Sequence, residues 1–212
     1  MPARKTKITG DDLRVALLDA AGHLLRAEGP HALSTRRLAT AVGTSTQAIY
    51  TLFGGKDGIV RAMYREGFAR LDAHMRAVPK TDDPLLDLYY LGIAYREAAH
   101  ASPHLYDVMF GRPVAEFECD DDDRAAARVT HEALRTAVVR AIKKGWVHGD
   151  SHRIAVHLWV TSHGFISLEL AGYLDLAGTD RDELYHELLI ASLAPFLSAD
   201  APSEERLRPT IG

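Results

Sequence analysis

The chain has 212 residues, of which 47% are hydrophobic and 25% are charged. This composition is that of an ordinary globular protein with a sizeable core, and it excludes collagen-like and disordered chains. The lone cysteine, Cys119, excludes an internal disulfide framework and fits a reducing compartment. The first seven residues include basic side chains, but no apolar stretch follows them, so they do not form a secretory signal. We therefore expect a cytoplasmic protein of one or two domains.

Charge is distributed unevenly along the chain, whose formal net charge is −4 at pH 7. Residues 1–56 hold eight Lys and Arg against four Asp and Glu, which gives this segment +4 and leaves −8 for the remainder. A basic N-terminal quarter on an acidic body is typical of a protein that presents one surface to phosphate groups.

The first predicted helix covers residues 11–28. Two aspartates lie in its first turn, where they favour the positive end of the helix dipole, and a Gly-Pro pair ends it. Apolar residues recur on one face, at Leu13, Leu17, Ala20 and Leu24.

Residues 33–56 have the pattern of two short helices joined by a tight turn, a helix-turn-helix. Gly43 lies where the chain must turn sharply, and glycine accepts a positive φ without steric cost. A short hydroxyl residue precedes each helix and can cap it: Ser34 or Thr35 before the first, and Thr44 or Ser45 before the second. The inner faces would be formed by Leu38, Ala39 and Val42 in the first helix and by Ala48, Ile49, Leu52 and Phe53 in the second.

Three short motifs at fixed spacing give this segment a family resemblance. They are Ala41-Val-Gly43, Tyr50-Thr-Leu-Phe53 and Lys56-Asp-Gly-Ile59. Over residues 11–60 the chain resembles the DNA-binding domain of tetracycline-repressor (TetR) type regulators, in which a glycine turn precedes a recognition helix ending in Tyr-x-x-Phe. The Gly54-Gly55 pair departs from the family's commoner single polar linker. The alternative is an ordinary helical hairpin in an unrelated all-α protein.

The resemblance implies which side chains meet DNA. The start of the second helix would contact the phosphate backbone, and polar side chains outside the packed face of the third helix would read base edges, Gln47 by bidentate bonds to adenine. Tyr50 and Lys56 are assigned to phosphates, although Tyr50 could instead be a packing aromatic. The predicted DNA-binding residues are Thr35, Arg36, Thr44, Ser45, Thr46, Gln47, Tyr50 and Lys56.

A longer predicted helix over residues 56–78 follows, and Pro79 ends it. In TetR-type proteins this helix carries the regulatory motion. The basic arm before the first helix (Arg4, Lys5 and Lys7) either reaches the DNA or is a solvated tail. The expected organisation is an arm and helix-turn-helix domain at 1–56, a connecting helix at 57–80, a ligand-binding and dimerisation domain at 81–200 and a flexible tail at 201–212.

The chain beyond Pro84 is rich in aromatic residues. Two predicted helices within residues 84–118, broken at Ser102 and Pro103, could line an apolar cavity with polar tips, or their aromatic residues could simply fill the core. With the TetR resemblance, the candidate ligand-binding residues are Tyr89, Tyr95, Met109, Phe110, Trp159 and His163.

The acidic run at residues 119–123 is interpreted as a solvated loop before a helix predicted over residues 124–145. Two histidine pairs have the i, i+4 spacing of metal ligands, His100/His104 and His148/His152. Neither pair has a carboxylate or a cysteine at a fixed third position, so no metal ion or cofactor is predicted.

A helix predicted over residues 151–175 is apolar almost all round. A membrane span is the rival interpretation, but ionisable residues lie within the segment and flanking membrane signals are absent. A helix with one face in the core and one against a partner subunit explains it better. With a final helix over residues 182–197, it predicts a homodimer built as a four-helix bundle.

The segment around Trp159 carries a second, shorter resemblance. Trp159 is followed by His163-Gly164, which resembles the C-terminal domain class of TetR-type proteins named for its Trp and His-Gly, the WHG class.

These patterns together predict an all-α fold of about nine helices: a three-helix N-terminal helix-turn-helix domain and a C-terminal helical bundle for ligand binding and dimerisation. The predicted function is that of a homodimeric transcriptional regulator, a repressor that a small-molecule effector releases from a palindromic double-stranded DNA operator. The alternatives are a helical small-molecule carrier or enzyme without DNA function, and a dimeric interaction module with a vestigial head. No catalytic constellation emerges, so no enzyme is predicted.

Overall fold

The computed structural model describes residues 10–111, 117–178 and 180–203, with the backbone alone at 176 and 177. Within these ranges the chain forms nine α-helices and no β-strand, which confirms the all-α fold and the expected helix count. The predicted basic arm lies outside the described residues, as does most of the expected tail. The helices are α1 (Gly10–Glu28), α2 (Thr35–Val42), α3 (Thr46–Phe53), α4 (Lys56–Ala77), α5 (Pro84–Ala101), α6 (Pro103–Phe110), α7 (Asp121–Lys143), α8 (Ser151–Leu170) and α9 (Arg181–Leu193).

The last two helices end earlier than the sequence predicts. After α8 the chain passes through Gly172, which has φ 78°, into a short 3₁₀ turn. After α9 a second 3₁₀ turn contains Pro195, whose missing N–H and fixed ring stop the α-helical ladder. The N-termini of both helices are marked by aspartate caps, Asp150 and Asp180, which accept hydrogen bonds from first-turn N–H groups.

Contacts divide the described chain into two compact units. The first contains residues 10–68 and 102–124, and the second contains residues 69–101 and 125–203. This division does not follow the linear boundaries expected at residues 56 and 80, because α6 returns to pack against α1.

In the first unit, α1 contacts both α2 and α6. Its buried face consists of residues at helical spacing, among them Leu18, Gly22 and Leu25. A Cβ built on Gly22 would overlap the ring of His104 in α6. Glycine at this position therefore allows α6 to approach α1 closely.

The start of α7 corrects the interpretation of the acidic run. Asp123 is fully buried and accepts hydrogen bonds from Arg61 and Arg65, which lie one turn apart on α4. Asp123 also exchanges backbone-to-side-chain hydrogen bonds with Asp120. The bond from the Asp123 backbone, and then the charges of the two arginines, hold the pKa of Asp120 below its usual value despite some desolvation. The solvated-loop interpretation is wrong for Asp123, because α4 presents two cations to it.

In the second unit, α5, α8 and α9 contact one another. Tyr185 of α9 is fully buried, and its hydroxyl donates to the carbonyl oxygen of Gly92 in α5 at 2.9 Å. The side chain of Leu189 fills the space that a Cβ on Gly92 would need. Gly92 therefore lets α9 pack directly on the α5 backbone.

An ion-pair network joins the same three helices. Arg96 of α5 forms a bidentate pair with Glu169 of α8, whose side chain is 2% exposed, and a second pair with Asp182 of α9 at 2.8 Å. His100 bonds to Glu169 at 2.8 Å. Burial alone would raise the pKa of Glu169, but the hydrogen bonds from Arg96 and His100 hold it below its usual value.

None of the helices in the described ranges is long and apolar enough to cross a membrane. Over the same residues, no three His, Cys, Asp or Glu side chains are grouped so that they could hold a metal ion. The histidines of the predicted i, i+4 pairs have protein partners instead: His104 lies 3.4 Å from Asp19, and His148 bonds to the carbonyl oxygen of Phe196.

Candidate nucleic-acid interface and C-terminal cavities

Two serine caps mark the starts of α2 and α3, and one glycine lies in the turn between them. The Ser34 hydroxyl accepts a hydrogen bond from the N–H of Arg37 at 3.3 Å, and the Ser45 hydroxyl accepts one from the N–H of Ala48 at 3.1 Å. Of the two candidates for each cap, the serine is therefore the cap in both cases. Gly43 between the helices has φ 72° and ψ 38°, a left-handed conformation that other residues adopt only at a cost.

The short helix α3 has one buried face and one exposed face. Ile49 is fully buried, whereas Thr46, Gln47 and Tyr50 are exposed, Tyr50 by 53%. The Thr51 hydroxyl bonds back to the main-chain carbonyl of Gln47 at 3.0 Å. Ile49 therefore anchors the helix and directs its polar side chains toward solvent.

The two arginines at the start of α2 have different environments. Arg37 bonds both carboxylate oxygens of Glu28 at 2.9 and 2.6 Å, which ties α2 to the end of α1. This hydrogen bonding raises the pKa of Arg37 and lowers that of Glu28. Arg36 is exposed and forms no ion pair with any described residue, and Thr35 beside it is partly exposed. Arg36 is thus the arginine available to a phosphate.

The segment between α3 and α4 holds two further predicted contacts. Gly54 and Gly55 have φ 74° and 128°, and a Cβ on Gly55 would meet the ring of Tyr50 at 3.4 Å. Lys56 opens α4, and its ammonium group donates to the carbonyl oxygen of Pro30 at 3.3 Å from an exposed position. Both glycines therefore have conformations that other residues rarely adopt, and Tyr50 lies beside Gly55 while staying about half exposed.

All eight predicted DNA-binding residues lie in one segment, from the first turn of α2 to the first turn of α4. Thr44, the remaining candidate, is partly exposed in the turn, and its N–H bonds to the carbonyl oxygen of Ala39 at 2.9 Å. No Asp or Glu occurs between residues 35 and 56. The exposed hydroxyl, amide, guanidinium and ammonium groups of this segment can therefore donate to phosphates and base edges, and the segment itself contributes no carboxylate that would repel phosphate.

Four of the predicted ligand-binding residues lie close together in the second unit. Tyr89, Tyr95 and Trp159 line a small cavity of about 40 Å³. The indole N–H of Trp159 donates to the Tyr95 hydroxyl at 3.2 Å, and Nδ1 of His163 lies 3.4 Å from the same oxygen. Burial lowers the pKa of His163, which favours its neutral form.

The other two predicted ligand residues are not part of this cavity. Met109 is buried against Gly67, and Phe110 packs on the rings of Phe68 and Tyr106 with centroid distances of 5.7 and 4.8 Å. Both residues belong to the first unit. Sequence reasoning grouped them with Tyr95 because α5 and α6 are consecutive in the chain.

The sequence did not reveal a larger cleft, of about 910 Å³, in the second unit. It is lined by the end of α4, by α5 and by α7, and by His152 of α8. Met75 and Leu91 line both this cleft and the small cavity. The charged face of α7, with Arg128, Glu132 and Arg135 at helical spacing, was the available signal, but the same pattern is typical of a solvated helix.

An all-α chain with a capped, basic helix-turn-helix near its N-terminus defines a DNA-binding transcriptional regulator. The sequence model described as "Bacterial regulatory proteins, tetR family" matches residues 17–63, and the one described as "Tetracyclin repressor-like, C-terminal domain" matches residues 88–192. The chain belongs to the tetR family.

Relatives agree with this assignment. The chain is 26% identical over 181 residues to an uncharacterized HTH-type transcriptional regulator, Rv0681, of Mycobacterium tuberculosis, covering 84% of this chain and 78% of the relative. A protein of unknown function from Rhodococcus sp. RHA1 superposes with a TM-score of 0.76 at 25% identity, covering 93% of this chain and all of that one. The TetR family regulator PfmR from Thermus thermophilus has the same fold, with a TM-score of 0.69 at 20% identity and coverage of 84% and 97%.

Proposed function

We propose that the protein is a homodimeric repressor that binds a palindromic operator through α3 and is released by a small-molecule effector. The observation that carries the DNA-binding part is the exposed polar face of α3. Thr46, Gln47 and Tyr50 project around the buried anchor Ile49 in a segment free of carboxylates. Such a helix fits the major groove, where amide and hydroxyl groups distinguish bases.

We assign distinct tasks to the exposed groups. Thr46 and Gln47 read base edges, together with the Ser45 hydroxyl, which keeps its proton to donate while its oxygen caps α3. Arg36, Tyr50 and Lys56 bind phosphates and set the register of the helix on the duplex. Thr35 and Thr44 support the same backbone contacts.

The homodimer would form through α8 and α9, which pack on each other. Val160 and Leu168 on α8 are 56% and 49% exposed, and Gly164 lies between them with open space around it. These positions follow one another at i, i+4 and i+8, so they form an apolar stripe along one face. Two such subunits would place their recognition helices about 34–36 Å apart, in successive major grooves.

The effector would bind in the second unit, whose large cleft and small cavity meet at Met75 and Leu91. An effector changes DNA affinity only if it binds the DNA-competent and incompetent states with different affinities. Trp159 and His163 both contact the Tyr95 hydroxyl. This arrangement also supports grouping the domain with the WHG class.

A binding-site selection from a random duplex pool, followed by gel-shift titration of the selected sequence, tests the proposal. Gln47→Ala should lower the preference for the selected site over random duplex, and Tyr50→Phe should weaken binding to both by removing a phosphate contact. Thr51→Ala is the matched control on α3, because its hydroxyl is occupied by the Gln47 carbonyl. If wild-type protein has no sequence preference at any salt concentration, the proposal is wrong.

The large cleft favours a second candidate, a small-molecule carrier without DNA function. Binding coupling is reciprocal, so a regulator's effector affinity must change when operator DNA is present. A ligand affinity that is the same with and without the selected duplex would favour the carrier.

A further inference from the structure

The large cleft has the dimensions and the floor of a small-molecule site. Its volume of about 910 Å³ lies within the range of about 300–1,000 Å³ that such sites occupy. Met75, Leu91 and Ala137 in its lining are 6%, 7% and 5% exposed. Because Met75 and Leu91 also border the small cavity, an apolar chain in the cleft could extend toward Tyr95 and Trp159.

The cleft also has an excess of positive charge. Three of its arginines are paired within the lining itself: Arg76 with Asp72, Arg135 with Glu132 and Arg140 with Asp87.

Two further cations in the lining, Lys80 and Arg128, are exposed and form no ion pair with any described residue. The lining therefore carries two uncompensated positive charges, although residues 57–212 together carry −8. A positive cleft in an acidic body concentrates anions at that place.

His131 in the lining does not add to this charge at neutral pH. Burial, and then the neighbouring His152, lower the pKa of His131. The two rings contact each other edge to face, with centroids 5.3 Å apart. His131 is therefore a neutral part of the wall, and the attraction for an anion comes from Lys80 and Arg128.

From this combination we infer that the cleft binds an aliphatic carboxylate, with its chain over Met75 and Leu91 and its charged end at Lys80 or Arg128. The inference rests on the proposed function, because this ligand would be the effector that releases the repressor. Lys80 and Arg128 supply affinity and charge selectivity, and the apolar floor supplies the larger contact area.

Calorimetric titration of the full chain with three probes of equal chain length tests the inference. We expect decanoate to bind saturably, 1-decanol about tenfold more weakly, and decylamine more weakly still. A carboxylate beside an exposed cation gains about two- to fivefold in affinity per pair, so two pairs together give about tenfold. Decylamine binding as tightly as decanoate, or no saturable binding of decanoate, would overturn the inference.

Substitutions in the cleft show where the carboxylate end of the ligand binds. Lys80→Ala and Arg128→Ala should each weaken decanoate binding about two- to fivefold, and the double variant about tenfold, while 1-decanol binding stays unchanged. Lys143→Ala with Arg153→Ala is the matched control, since it removes two exposed cations of the same unit that do not line the cleft. Equal effects of the two double variants on decanoate would contradict the assignment.

Failure of this inference is separable from failure of the proposed function. Specific DNA binding without decanoate binding removes only the effector class. Decanoate binding by a protein that has no sequence preference for DNA removes the repressor and leaves the carboxylate site.

Discussion

Arg36 and Arg37 are neighbours in the sequence, but only Arg37 is held by the protein. Glu28 binds both of its terminal nitrogens, so Arg37 fixes the angle at which α2 leaves α1. Arg36 points into solvent with no described partner. The two positions therefore separate a contact that shapes the interface from a contact that DNA would use.

Arg36→Ala should weaken binding to specific and random duplex alike by about three- to tenfold, and should lower the salt slope of log K by about 1. Gel shifts between 50 and 200 mM salt measure both quantities. Arg37→Ala should lower the midpoint of thermal unfolding instead. An Arg36→Ala salt slope equal to the wild-type slope would exclude a phosphate contact.

Asp123 is a buried charge that two arginines hold, so its removal should destabilise the first unit. Asp123→Ala leaves Arg61 and Arg65 facing a vacated buried position and removes the acceptor for the Asp120 N–H. We expect a loss of about 3 kcal/mol in the free energy of unfolding, measured by urea titration. Asp122→Ala, at a side chain that is 84% exposed, should change it by less than about 0.5 kcal/mol.

The turn between α2 and α3 depends on Gly43, whose backbone has a left-handed conformation. Gly43→Ala should destabilise the first unit by about 1–2 kcal/mol, because a Cβ is disfavoured at positive φ. Gly43→Asn should cost less, since asparagine tolerates this conformation better. Urea unfolding of the three proteins checks the order, and equal stabilities would contradict it.

The contact of α5 with α8 and α9 should depend on pH through Glu169. Its pKa is lowered in the folded chain, so its contribution to stability is present above the ordinary Glu pKa of 4.5 and is lost as pH falls through the lowered value. Thermal unfolding of wild type between pH 6 and 3 should therefore steepen below about pH 4.5 relative to Glu169→Gln. Parallel curves for the two proteins would contradict this assignment.

The sequence predicted the elements well where the signals were local. Gly43, the serine caps and the periodic apolar residues around Ile49 lie within a few positions of one another, so they indicated the helix-turn-helix without any knowledge of the fold. The pairing of Arg61 with Asp123, or of Arg96 with Glu169, joins residues 62 and 73 positions apart. No spacing rule connects such residues, because their proximity is set by the packing of whole helices. The separation of Met109 from Tyr95 was missed for the same reason.

The proposed dimer rests on the apolar stripe of α8. Val160→Glu with Leu168→Glu should yield folded monomers, because both side chains are about half exposed within one subunit. Light scattering coupled to size-exclusion chromatography measures the mass. Val15→Glu, at a 40% exposed position on α1, is the control that should leave the mass unchanged. A variant that keeps the wild-type mass would place the interface elsewhere.

The return of α6 to α1 has a consequence for building chimeric regulators. A graft that joins the first 68 residues to the ligand-binding domain of another protein would lack His104. The space beside Gly22 that the His104 ring fills would then be empty. Swapping DNA specificity between relatives should therefore succeed more often when residues 102–124 are transplanted together with the first 68 residues. The unit of exchange is discontinuous, although the proposed DNA-binding motif is a single run of about twenty residues.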